Sequence, residues 1–135
     1  MKTMSFSQAI DDALAQAMAR DPCIILLGED IQLMQRALLV RFGSKRVRNT
    51  PISESAFLGA GIAASMAGLK PVVELYMVDF LGVCIDALIN HAAKVEAFSG
   101  GKWTAPVVIR APCSGGYGDG GQHEHAPVHS SHGRF

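Results

Sequence analysis

The chain has 135 residues with 12 basic and 12 acidic side chains, so its formal net charge is zero, and a neutral chain carries no overall electrostatic footprint for nucleic acid or an anionic membrane. That length builds one domain with a real core and not two. Apolar residues make up 49% and charged residues 18%, against about 25% charged in ordinary domains; this excludes a disordered chain and leaves few charges to coat surface, as expected where a partner covers it.

Phe6, Ile10, Ala13, Leu14, Ala17 and Met18 recur at helical spacing. Ser5 or Ser7 can cap this helix, and Asp21-Pro22 stops it. Cys23 to Gly28 is a short apolar run closed by glycine, the pattern of a strand buried on both faces. Arg36 to Phe42 reads as a helix with Gly43 as its cap, and Val47 to Thr50 as a short strand ended by Pro51. Ser53 to Ala67 predicts a small-residue helix ending at Gly68, with Ala and Gly faces that let neighbouring backbones come close. Pro71 to Tyr76 is a second buried strand. Phe80 to Phe98 is the longest helical pattern, closed by Gly100-Gly101, with Val83, Ala87, Leu88, Ile89, Ala92 and Val95 on one buried face. Pro106 to Arg110 is a third buried strand. From Cys113 the composition turns to Gly, His and Ser.

Strands alternating with helices predict an α/β fold, a mostly parallel sheet with helices on both faces. Residues 1–112 are read as the domain, and 113–135 as its Gly/His-rich loop and divergent tail. The chain reads as the first part of a larger unit. Three cysteines, widely spaced and without a CxxC, argue against a disulfide framework and for a reducing compartment. With no secretory h-region, and no apolar stretch near the roughly 18 residues a span needs, a cytoplasmic chain is expected.

Function in such folds sits at the carboxyl ends of the strands. Glu54, at a helix start beside Ile52, Phe57 and Leu58, admits two readings. One is a first-turn acid favoured by the helix dipole. The other is a desolvated carboxyl whose raised pKa lets it share a proton with a ligand. Gly59 to Ala64 matches GxGxxA, but inside a helix and not after a strand, so close packing explains the glycines better than a nucleotide does. Gly118-Asp119-Gly120 lacks the later Asn that would complete a diphosphate motif, and no metal is assigned to it. His123, His125, His129 and His132 cluster without a visible rigid frame, so one catalytic histidine among bystanders is preferred to a metal site. His91 reads as a helix-surface or interface residue. Tyr76 and Phe80, each taken alone, read as core aromatics.

Leu26 to Asp30 (LLGED), Thr50 to Ser55 (TPISES), Met66 to Glu74 (MAGLKPVVE), Asp79-Phe80, Asp86 to Lys94, Ser99 to Gly101, Pro106 to Pro112 and Gln122-His123 come in one order. That ordered set resembles the beta subunit of the thiamine-diphosphate-dependent first component of 2-oxo acid dehydrogenase complexes, a subunit shared by pyruvate, branched-chain 2-oxo acid and acetoin dehydrogenases. The resemblance covers the chain to about His125. It implies a transketolase-like pyrimidine-binding domain in which Glu54 hydrogen-bonds N1′ of the aminopyrimidine. It also implies that Ile52 and Phe80 line that ring, that Glu29 lies near it, and that His123 faces the reacting carbon and substrate. Val107 resembles the position whose carbonyl helps hold a structural potassium ion. In this family thiamine diphosphate supplies the ylid, and a carboxylic acid at N1′ drives the imino tautomer that removes the C2 proton. The 2-oxo acid is then decarboxylated and its acyl group passes to a lipoyl arm.

The implied partners are an alpha subunit holding magnesium and diphosphate, a second beta subunit in an assembly of two alpha and two beta chains, and a lipoyl acyltransferase core. The chain departs from the family in the segment after Asp30, which runs directly into QLMQRALLVRFG, and in APVHSSHGRF after His125. The isolated chain is expected to be inactive, and self-association is expected when it is alone. The alternative reading is a non-catalytic truncated copy that serves as an oligomerisation or interaction module.

Overall fold

A computed structural model describes residues 3–113. Ser5 caps the first helix, α1 (Phe6–Arg20), in a reciprocal capping box with Gln8, so two of the otherwise orphaned amide donors are satisfied. Asp21 ends it in extended backbone, as Asp21-Pro22 predicts. Strand β1 (Ile24–Gly28) follows, then a four-residue helix α2 (Ile31–Met34) entered through Asp30 in left-handed backbone at φ 48°. α3 (Arg36–Phe42) ends at Gly43, φ 78°, before β2 (Val47–Asn49). α4 (Glu54–Met66), β3 (Lys70–Glu74) and, after a longer crossing, β4 (Val108–Arg110) complete the order.

Among the described residues the sheet is four-stranded and all parallel, in the order β2-β1-β3-β4. Alternate strand residues feed two cores, because successive side chains point to opposite faces. Ile25, Leu27, Val73 and Leu75 pack with Phe57, Leu58 and Ile62 of α4 and with Cys84 and Ala87. Leu26, Val47 and Val72 pack on the other face with Leu14 and Met18 of α1, Ile31 and Leu38. The expectation of helices on both faces of a parallel sheet holds. Gly61 shows why α4 needs small residues: a Cβ there would meet Val73 Cγ2 at 2.6 Å. Close packing is therefore the reason for the second glycine of Gly59-Ala60-Gly61.

The expected single helix from Phe80 to Phe98 is corrected. Val78–Cys84 forms 3-10 turns, Ala87–Ala92 a π-helical turn closed by the Ala93 amide on the Leu88 carbonyl at 2.9 Å, and only Val95–Phe98 (α5) is α-helical again. The apolar spacing is real, but it serves a broken path that buries Cys84 and Ala87. Val83 and Ile89 are left facing outward, where one straight buried face was expected.

Candidate functional site

The carboxyl ends of β1 and β3 and the start of α4 converge on one rim. The Gly28 carbonyl accepts a hydrogen bond from the Thr50 amide at 3.0 Å, which ties the exit of β1 to the segment leading into α4. Gly28 pairs with Glu74 in the register, and a Cβ at Gly28 would meet the Glu74 carbonyl oxygen at 2.6 Å, so only glycine fits. Glu29 leaves this junction on the α4 side, as strand alternation dictates.

Glu29 and Glu54 are both half-buried. Desolvation raises the Glu29 pKa above the ordinary carboxylate value, and the nearby negative charges of Glu54 and then Asp30 raise it further. Its Oε2 is buried without a hydrogen-bond partner, as is Thr50 Oγ1. Burial raises the Cys84 thiol pKa as well, with the negative charge of Glu54 as the second cause. Glu54 is the first residue of α4, as read from the sequence, and sits at the rim rather than in open water.

Phe80 is half-buried in the 3-10 segment that leaves β3 and packs on α4. Ile52 stands at 82% exposure on the loop before α4, outside the two cores. Val107 precedes β4, so it lies at the end of the sheet opposite to Glu29; it is half-buried against the α4-side core. His123, and with it the rest of the histidine cluster and Gly118-Asp119-Gly120, lies outside the described residues. No group of three or more His, Cys, Asp or Glu side chains poised for a metal ion occurs among the described residues.

A second polar cluster on the opposite face was not read from sequence. Arg110 Nη2 donates to Asp11 Oδ1 of α1 at 3.1 Å, and Arg110 Nε stands 3.4 Å from Glu74 Oε2. Gln35 donates to the same Asp11 oxygen at 3.2 Å. The Glu74 side chain is only 6% exposed, and desolvation raises its pKa, opposed by Arg110 and reinforced by Asp11. The signal was present: an acid inside Pro71-Val72-Val73-Glu74 needs a counter-charge, and the next buried run ends in Arg110 at the paired register position.

The rim residues fit an aminopyrimidine. Two carboxyls converge there, one with an unpartnered buried oxygen and a raised proton affinity, and a heterocycle that both donates and accepts protons satisfies such a pair. No helix of the described residues is long and apolar enough to cross a membrane.

Comparison with known proteins gives a match to the family described as transketolase, pyrimidine binding domain, over residues 2–131. Among curated proteins, the chain is 39% identical over 138 residues to the acetoin:2,6-dichlorophenolindophenol oxidoreductase subunit beta of Cupriavidus necator, a match covering 90% of this chain and 40% of the relative. It is 38% identical over 122 residues to the 2-oxoisovalerate dehydrogenase subunit beta of Bacillus subtilis, covering 86% of this chain and 37% of the relative. It is 41% identical over 118 residues to the pyruvate dehydrogenase E1 component subunit beta of Rhizobium meliloti, covering 83% of this chain and 26% of the relative. The chain thus spans two fifths or less of the length of these three relatives.

Proposed function

The chain belongs to the family of transketolase pyrimidine-binding domains, and from that membership we propose that it is the beta-subunit portion of a thiamine-diphosphate-dependent 2-oxo acid or acetoin dehydrogenase. The observation that carries the reading is the meeting of Glu29 and Glu54 on one rim, with Glu29 Oε2 buried and unpartnered. When bound, thiamine diphosphate supplies the carbanion chemistry at C2. Glu54 holds a proton at N1′ of the aminopyrimidine. Glu29, its own proton affinity raised, spares the pocket two full negative charges and donates or accepts beside the ring. Phe80 orients the ring from the 3-10 segment. Ile52, exposed in the single chain, becomes part of the wall once a partner closes over the loop. His123 takes the substrate side.

The reading assigns magnesium and the diphosphate to an alpha subunit, with a second beta chain and a lipoyl acyltransferase core as further partners. The Val107 carbonyl is assigned to a structural potassium ion. The reading keeps residues 1–112 as the α/β domain and, on composition, 113–135 as its Gly/His-rich loop and divergent tail. The free Cys23 and Cys84 thiols support a reducing, cytoplasmic setting.

A second reading, a non-catalytic interaction module, draws on an apolar cleft of about 600 Å³ between α1 and β3/β4, lined by Ile10, Leu14, Val72 and Val108 and open among the described residues. Mixing the chain with its cognate alpha subunit separates the two. Recovery of thiamine diphosphate binding and of 2-oxo acid decarboxylation supports the first. A stable complex with neither supports the second.

A further inference from the structure

Charge is segregated within this neutral chain. Arg36, Arg41, Lys45, Arg46 and Arg48 are five of its 12 basic residues, and no acidic residue occurs from Ile31 to Ser53. Arg36 and Arg41 stand on α3, Lys45 and Arg46 in the turn that follows it, and Arg48 on the edge strand β2. The guanidinium carbons of Arg41 and Arg46 lie 5.0 and 5.1 Å from the centroid of the same Phe42 ring. The Arg48 side chain folds back on the turn that follows α3, donating to the Lys45 backbone carbonyl at 2.7 Å. Arg46 is committed to the fold, donating to the Ile24 and Asp21 carbonyls. Arg36, Arg41, Lys45 and Arg48 are exposed, and none of them forms an ion pair among the described residues. The Asp21 carboxylate is taken up by Lys70 at 2.6 Å.

Apolar side chains stand among these cations. Leu33 is 74% and Val40 78% exposed, and Val40 lies between Arg36 and Arg41 on the outer face of α3. We propose that the α2–α3–β2 face is a docking surface for an acidic polypeptide segment that carries apolar side chains. The cations are carried in turn by α3, the turn after Gly43 and β2, so an extended partner suits them better than a single phosphate. The interleaved Leu33 and Val40 match apolar side chains better than a sugar-phosphate backbone. Partly pinned guanidinium groups favour a partner of fixed shape over a fluid lipid surface. The surface adjoins the Glu29–Glu54 rim at Asp30 and Thr50, but its cations lie on α3, the turn after it and β2 and take no part in the rim, so this inference does not rest on the proposed function.

The test uses the full chain and a fluorescent peptide of repeated Glu-Glu-Leu, read by anisotropy and by backbone amide shifts. The peptide is expected to bind with shifts confined to residues 31–49, and to lose about tenfold in affinity between roughly 50 and 200 mM salt. A variant carrying Arg41→Glu, Lys45→Glu and Arg48→Glu, all exposed positions, is expected to lose binding while keeping its circular dichroism. Val40→Ser, the milder change, is expected to weaken binding without altering the salt dependence. No binding of the peptide, equal binding by the triple variant, or shifts elsewhere overturns the proposal. So does tighter binding of duplex DNA, of inorganic phosphate or of phosphatidylserine vesicles than of the peptide.

Discussion

Glu74 and Arg110 stand opposite each other in the β3–β4 register, and their side chains meet at 3.4 Å in a place that water scarcely reaches. The arginine is also held by Asp11, so one guanidinium joins a helix and two strands. Arg110→Ala is expected to destabilise the chain by about 3 kcal/mol, because it leaves a buried carboxylate without its counter-charge. Glu74→Gln, which keeps shape and removes the buried charge, is expected to cost far less. Urea unfolding of both variants checks the order.

The same burial sets a pH dependence. Glu29 and Glu74 have folded-state pKa values above the unfolded carboxylate value of 4.5, so the folded chain binds protons more tightly than the unfolded one. Stability is therefore expected to rise as pH falls from neutral through their folded pKa values toward 4.5. Asp21 works in the other direction. Its pKa is lowered, first by the Lys70 hydrogen bond, and its contribution is lost as pH falls below 3.8 through the folded value. Urea midpoints across this range should pass through an acid-side maximum, and the rise should flatten in the double variant Glu29→Gln with Glu74→Gln.

The two glycines of Gly59-Ala60-Gly61 are expected to answer oppositely to alanine. Gly61→Ala drives a methyl to within 2.6 Å of Val73 Cγ2 and is expected to destabilise by about 2 kcal/mol through overpacking. Gly59→Ala meets nothing within 4 Å and is expected to stabilise α4 by about 0.8 kcal/mol through helix propensity. Thermal unfolding of the two single variants decides this.

For the proposed function, Glu54→Gln is expected to abolish 2-oxo acid decarboxylation in an assembly reconstituted with the alpha subunit. Its far-ultraviolet circular dichroism should match that of the unaltered chain. Undiminished turnover in that variant refutes the proton-holding role.

Much of the fold was legible because the strands are short apolar runs bounded by Pro and Gly, because α1 keeps helical spacing, and because α4 is a run of small residues closed by Gly68. Glu54 was placeable at the head of α4 from Thr50-Pro51 and the small-residue run alone. The path from Phe80 to Phe98 was not legible: helical spacing does not distinguish a straight α-helix from turns that tighten to 3-10 and loosen to π while still burying Cys84 and Ala87. α2 is only four residues long, too short to show a period. The raised proton affinity of Glu29 and the Asp11–Arg110–Glu74 cluster depend on which distant segments meet, and no local pattern states that.

The Asp11–Arg110 contact joins residues 99 positions apart, whereas Asp11 and Gln35 are separated by 24. During synthesis from the N-terminus, α1 therefore finds its glutamine partner long before its arginine leaves the ribosome. The first helix and the α2–α3 corner can associate early, but the Glu74 carboxylate waits in the growing chain until β4 is made. A nascent chain halted before Arg110 would carry that acid without its cation, and for that interval β3 is an edge open to chaperones or to the wrong strand.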